Sequence, residues 1–354
     1  MIDLSPYKKE ATELLIKLIS IQSISREEDQ TADLIEAHLE VNGITTFRKE
    51  NNVWAQNKHY DSSKPTILLN SHHDTVKPNQ GYTRDPFHPE IIDGKLYGLG
   101  SNDAGGPLVC LFETFLYYYN QEHLKYNFVF AATAEEEISG KNGIELVKNE
   151  FGPLDFAVVG EPTEMNAAIA EKGLMVLDCV AKGKAGHAAR EEGESALYKA
   201  IDDINWFRNF QFEKTSQTLG PIKMSATIIN GGTQHNVVPD VCSFVVDVRT
   251  TDAYSNLETL EIIKKHIQSE VTPRSTRLNP SSIDENHPFV VAAKKIGATT
   301  YGSPTLSDQA LLDIPSLKMG PGKSERSHTA DEFIMINELE HAIDRYVSIF
   351  NQIV

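Results

Sequence analysis

The amino-acid sequence predicts an α/β domain interrupted by a smaller α+β module, and three observations carry that expectation. Apolar, partly β-branched runs at 66–70, 127–133 and 156–160 are too short for helices and read as buried strands of an open sheet. Between 174 and 284 the pattern becomes strand, helix, strand, strand, helix, strand, which is the ferredoxin-like order. From Pro288 onward helical, α/β character returns, so residues 1–173 and 285–354 read as one domain and 174–284 as an insertion. A chain of 354 residues is long for a single core, which agrees with two domains.

Taken in order, residues 6–20 place Leu14, Leu15, Leu18 and Ile19 at helical spacing. Ser25-Arg-Glu-Glu28 offers a capping box for a second amphipathic helix through Ala32, Leu34, Ile35 and Leu39. Residues 45–47 and 53–55 read as short strands. The strand at 66–70 then delivers Ser71-His72-His73-Asp74 to its carboxyl end, where open α/β sheets keep their sites. In extended chain His72 and Asp74 project from the same side, so the imidazole can bind a metal while the carboxylate grips its other ring nitrogen. His73 then points away.

Gly98-Leu-Gly-Ser-Asn-Asp103-Ala-Gly-Gly106 precedes an apolar helix at 108–119. A dinucleotide fingerprint needs glycine where Asp103 stands. Asp103 therefore reads either as a helix N-cap or as a carboxylate at a glycine-lined entrance where metal ions can approach the backbone. The strand at 127–133 runs into Glu135-Glu136-Glu137, and an acidic run that caps an apolar strand is expected near cations rather than on a solvated face. The strand at 156–160 ends in Glu161-Pro162-Thr163. In the middle module, strands are expected at 174–181, 224–230, 241–250 and 275–278, with helices at 195–210 and 257–267. A helix at 289–296, a strand at 316–319 and a helix at 337–353 complete the larger domain. Gly320-Pro-Gly-Lys-Ser324 imitates a phosphate loop, but Leu317 stands where the first glycine belongs. Ser327-His328-Thr-Ala-Asp-Glu332 follows it.

Thirty-three Lys and Arg against 50 Asp and Glu give a formal charge of −17, a surface that repels nucleic acid and anionic membrane. The first residues lack the basic, apolar and small-residue order of a signal peptide, and no apolar run approaches membrane-spanning length, so a cytoplasmic location is expected. Cys110, Cys179 and Cys242 are scattered among apolar neighbours and read as buried free thiols.

The series His72-x-Asp74, Gly98-x-Gly-x-x-Asp103-x-Gly-Gly, Glu136-Glu137, Gly160-Glu161-Pro162, Gly183-x-x-Gly-His187, Asn236-Val-Val-Pro239-Asp240, Asp247-x-Arg249 and Gly320-Pro-Gly followed by His328 spans nearly the whole chain. It resembles the M20 family of metallopeptidases, in the acetylornithine deacetylase and succinyl-diaminopimelate desuccinylase branch. The resemblance implies a zinc-peptidase-like catalytic domain with an inserted dimerisation domain. It implies two zinc ions, replaceable by cobalt, held by His72, Asp103, Glu137, Glu161 and His328, with Asp103 bridging. A cis peptide after Asp103 comes with it. Glu136 is then the general base, and the alternative register makes Glu135 the base and Glu136 a ligand. His187 matches a residue that reaches across from a partner subunit to the oxyanion; Asn236 and Arg249 match substrate contacts. The implied reaction removes the acyl group from N-acetylornithine or N-succinylornithine in arginine biosynthesis, with a succinyl-diaminopimelate desuccinylase or a dipeptidase as the alternative. A succinyl carboxylate needs a cation, which Lys172 or Arg190 can supply.

Overall fold

The computed structural model describes residues 3–354 and divides into two compact units. The first comprises the chain up to Ile169 together with Ser282–Tyr301 and Ser307–Val354; the second comprises Ala170–Ser281 and Gly302–Leu306.

The first unit is organised by four mutually parallel strands, Asn127–Thr133, Thr66–His72, Phe156–Val159 and Ser316–Lys318, in that spatial order. Asn52–Gln56 and Thr46–Lys49 extend the sheet antiparallel on the side of Asn127–Thr133. Continuous apolar composition suits strands buried on both faces, and every residue of Thr66–His72 and Asn127–Thr133 is buried. The register pairs Ile67 with Phe128 and Phe156, and His72 with Thr133. All four parallel strands therefore end at one edge. The helices Ser5–Ile19, Gly106–Tyr119 and Ile336–Phe350 pack on one another in the same core, through Leu14, Leu15, Phe112, Phe115, Ile343 and Phe350.

Two expectations for this unit need correction. The second helix, Asp29–Val41, has no side-chain cap, and the Ser25–Glu28 box does not form. Ser25 Oγ instead donates to Asp74 Oδ2 at 2.7 Å, and the fully buried Glu28 carboxylate accepts the backbone N–H groups of Arg26 and Glu135. Both side chains serve the strand-end loops rather than the helix beside them. A small sheet of Glu90–Ile92, Lys95–Tyr97 and Phe333–Met335 was not expected, since three-residue strands carry too little alternation. Its signal was Asp93-Gly94, both at positive φ (51° and 75°), the dipeptide of a tight hairpin.

The second unit has the strands Gly173–Lys182, Lys223–Gly231, Val241–Thr250 and Glu270–Pro273, with helices Ala196–Asn209 and Asn256–His266 between them. Its antiparallel sheet runs 223–231, 241–250, 173–182, 270–273, which is the ferredoxin-like arrangement. Strict alternation along Gly173–Lys182 sends Met175, Leu177, Cys179 and Ala181 into a core with Phe207, Phe244, Val246 and Leu260. The fourth strand lies at 270–273 and not at 275–278. Val271 pairs with Cys179 directly after the helix, whereas Leu278 is buried by accepting Leu174 N–H outside any strand.

The core of the first unit also holds a buried acid, one of whose oxygens has no hydrogen-bond partner among the described residues. Glu113 is 1 % exposed, the oxygen without a partner is its Oε1, and burial next to Glu10 pushes its carboxyl up to about 9. Below about pH 4.5 the folded and unfolded chains both hold this proton. Between that pH and about 9 only the folded chain does, so stability falls as pH rises. Glu113→Gln is expected to flatten that slope and to add on the order of 2 kcal/mol or more at pH 8, read by urea denaturation from pH 5 to 9.

Candidate metal centre

Each polar residue at the sheet edge is placed by the strand that precedes it. His72 is the last residue of its strand, 1 % exposed, and its Nδ1 lies 2.9 Å from the backbone oxygen of Asp74. Donation of Nδ1–H to that carbonyl leaves the Nε2 lone pair for a ligand. The Asp74 carboxylate is a weaker partner of the ring, with Oδ1 at 3.4 Å. Its main work is elsewhere: it accepts the backbone N–H of Glu136 at 3.0 Å and of Glu137 at 3.2 Å, besides Ser25 Oγ. Asp74 thereby pins the Glu136–Glu137 turn to the end of the neighbouring strand. His73 points away, to Thr31 and the Asn51 carbonyl, and burial holds it down at about 4 and therefore neutral.

Asp103 sits between two imidazoles. Its Oδ1 is 3.3 Å from His72 Nε2 and its Oδ2 is 3.7 Å from His328 Nε2. On one side, Glu161 Oε1 and Glu136 Oε2 lie 3.9 and 3.8 Å from His72 Nε2. On the other, Glu137 Oε2 lies 3.0 Å from His328 Nε2. Donor atoms of His72, Asp103 and Glu137 fall within 4.8 Å of one another, as do those of His72, Glu136 and Glu161. The peptide bond after Asp103 is cis. The glycines around it serve chain packing rather than metal approach: a Cβ on Gly105 would stand 2.5 Å from the Gly100 carbonyl, and one on Gly100, at φ 77°, 2.6 Å from Thr75.

Charge crowding is the outstanding feature of the cluster. Burial, with Asp103 alongside, pushes Glu161 up to about 8 against the pull of His72 and Lys318. Burial pushes Glu136 well above the ordinary carboxylate value, and Glu161, Asp308 and Glu137 add to it. The hydrogen bond to Glu137 lifts His328 to about 9. For His72, burial opposes the charged ring, but Asp103, Asp74 and Glu136 outweigh it and hold the ring well above its usual value. Carboxylate and imidazole donors without thiolate, gathered around one carboxylate that faces two histidines, fit a pair of divalent cations.

Glu135 stands outside the cluster, at φ 54°, with its carboxylate on Asn142, so the register with Glu135 as base is not the one built here. The remaining expected residues lie in the second unit. His187 pairs with Val237 in a two-residue ribbon, its Nδ1 accepting Ala189 N–H, and Ala188 N–H donates to the Asn236 carbonyl. Arg249 is held two-fold by Asp247, at 2.9 and 3.1 Å. Its strand neighbour is Lys223, and burial together with Lys223 and Arg249 lowers Lys172, so these three cations form one patch. Arg190 is exposed, 3.9 Å from Glu192.

Two buried carboxylates escaped the sequence reading. Asp308 accepts Thr133 Oγ1 at 2.6 Å, and burial raises it to about 6. Glu332 accepts three backbone N–H groups of the Asp103 loop: Asn102 at 2.7 Å, Asp103 at 2.9 Å and Gly100 at 3.2 Å. Its position four residues after His328 was the available signal. Glu332→Gln keeps the volume but turns an NH2 towards backbone donors, and it is expected to weaken metal affinity roughly 10- to 100-fold. Competition against a chromophoric chelator would measure this; an affinity equal to the wild type would remove Glu332 from the support of the site.

An open α/β sheet with His72 at the carboxyl end of a parallel strand, and Asp103 and His328 brought to it by loops so that two imidazoles face one shared carboxylate, defines a metal-dependent hydrolase of the two-cation kind. The chain belongs to peptidase family M20/M25/M40, whose model matches residues 68–352. It is 27 % identical to a [LysW]-lysine/[LysW]-ornithine hydrolase of Sulfurisphaera tokodaii, over 98 % of this chain and 96 % of that one. It is 25 % identical to a succinyl-diaminopimelate desuccinylase of Wolbachia pipientis (97 % and 89 %). Identity to an acetylornithine deacetylase of Myxococcus xanthus is 26 % (78 % and 77 %). Among solved structures, aminopeptidase PepT of Bacillus cereus superposes with a TM-score of 0.76 at 19 % identity, covering 98 % of each chain. A dinuclear metal-binding M20 peptidase of Bacillus subtilis gives 0.73 at 17 %, again over 98 % of each. These two show the shared fold. No helix among the described residues is long and apolar enough to cross a membrane.

Proposed function

We propose that this hydrolase removes the acyl group from N-acetylornithine or N-succinylornithine, releasing ornithine and a carboxylate, as a cytoplasmic enzyme of arginine biosynthesis. The observation that carries the reading is the Asp103 carboxylate presenting one oxygen to each of two histidines, with Glu136 alongside. The names of the relatives, acetylornithine deacetylase, succinyl-diaminopimelate desuccinylase and [LysW]-lysine/[LysW]-ornithine hydrolase, support the substrate class.

In this reading His72, Asp103 and Glu161 would hold one cation and Asp103, Glu137 and His328 the other, zinc being the metal that the donor set suits and cobalt its replacement. Such a pair would supply Lewis acidity for the amide carbonyl and for the attacking water. Glu136, made strongly basic by burial among carboxylates, takes the water proton and hands it to the leaving nitrogen. Asp74 keeps that base in place through its backbone. His187, contributed by the partner subunit, donates to the oxyanion, while Asn236 and the Lys172, Lys223 and Arg249 patch hold the substrate carboxylate. Comparing kcat/KM for N-acetylornithine, N-succinylornithine, N-succinyl-diaminopimelate and a dipeptide tests the assignment. A dipeptide or the diaminopimelate substrate leading by tenfold or more would replace it with the desuccinylase or dipeptidase alternative.

The same reading makes the chain a homodimer through the second unit. Its edge strand Lys223–Gly231 leaves Ile228 51 % and Ile229 47 % exposed, an open sheet edge that a second copy would cover. Ile229→Lys is expected to yield monomer by light scattering; a wild type that is itself monomeric would remove the dimer.

A further inference from the structure

A cavity of about 400 Å³ in the first unit is lined in part by Glu137, which also belongs to the metal centre. Its walls combine two kinds of surface. Val76 and Ile138 are aliphatic, and Ile138 is 46 % exposed, a large apolar side chain that folding leaves uncovered. Arg26 and Lys77 are cationic. Lys77 is exposed and has no ion pair among the described residues, and Arg26 reaches only to 4.0 Å from Glu135 while its side chain stays 73 % exposed. The backbone beneath is firm: Thr75 N–H donates to the Ser23 carbonyl and Ser25 N–H to the Thr75 carbonyl. Two exposed cations beside an aliphatic wall are a set of contacts that suits a molecule apolar along its length and anionic at its end.

We propose that this cavity is the acyl subsite, and that it takes a short methylene chain ending in a carboxylate, as in a dicarboxylic half-amide. The inference rests on the N-acyl hydrolase reading and decides between its two substrates in favour of the succinyl type. Val76 and Ile138 cover the methylenes, and Arg26 and Lys77 receive the distal carboxylate. An acetyl group fills none of this space.

The test uses zinc-loaded protein and three ornithine derivatives: N-acetyl, N-butyryl, which has the length without the charge, and N-succinyl. Wild type is expected to favour succinyl over butyryl by about tenfold or more in kcat/KM, and Lys77→Met and Arg26→Gln are each expected to collapse that ratio about fivefold or more. A succinyl-to-butyryl ratio near one, or a large ratio indifferent to both substitutions, overturns the subsite. Calorimetric titration with glutarate and with butyrate keeps the subsite separate from the reaction. If no N-acylornithine is turned over, the reaction reading fails, while glutarate binding that Lys77→Met weakens would still mark the cavity as a carboxylate site. Glutarate binding unchanged in both variants would overturn it.

Discussion

Glu136→Gln is expected to lower kcat by about 10²- to 10⁴-fold while the protein keeps its full complement of metal. Glutamine has the shape of glutamate and preserves the backbone hydrogen bond to Asp74, but it cannot accept a proton. Burial, with Glu161, Asp308 and Glu137 nearby, gives Glu136 the high proton affinity that suits a base working near neutral pH. The decisive reading is metal content measured on the same preparation. Glu136 Oε2 stands 3.8 Å from His72 Nε2, within a group that also includes Glu161, so distance alone would allow it to be a ligand. A variant that loses a cation along with activity would move Glu136 from base to ligand. A variant with near-normal kcat would end the general-base assignment altogether.

Removing the metal is expected to abolish turnover, and zinc or cobalt to restore it; a chelator-insensitive hydrolase would sink the two-cation mechanism. The stoichiometry of variants is sharper still. Because Asp103 turns one oxygen to each histidine, Asp103→Ala should cost both ions, whereas His328→Ala should cost one. Equal losses in the two variants would show that Asp103 does not bridge. Affinity should also depend on pH with a definite sign. Glu161 holds its proton up to about 8 in the metal-free cluster, and a cation must displace that proton, so apparent affinity should rise as pH climbs through that value. Isothermal titration in buffers of different ionisation enthalpy would count the protons released.

The parallel strands were legible because burial on both faces demands unbroken apolar runs, and Thr66–His72 and Asn127–Thr133 are written that way. Their polar ends were legible for the same reason: a charged residue directly after such a run lies at the sheet edge. Local patterns misled where two signals coincided. Ser25 to Glu28 has the composition of a capping box, yet Asp74 and the Glu135 backbone, distant in sequence, compete for those side chains and win. No apolar strand delivers Glu332 or Asp308; each is defined by what it receives, the N–H groups of the Asp103 loop and the hydroxyl of Thr133.

Composition and period by themselves determined which segments are buried, how the middle module is wound, and which side chains arrive at the carboxyl ends of the strands. Only the folded chain decided how those side chains face one another. That Asp103 lies between His72 and His328, that Asp74 grips the Glu136–Glu137 turn more than the imidazole, and that Glu332 pins the loop are outcomes of the sheet order and of loops closing over sequence separations of 31 to 232. The reason is physical: hydrophobic patterning is short-ranged and repeats along the chain, whereas a hydrogen bond or a shared carboxylate depends on angles and distances that no local period encodes.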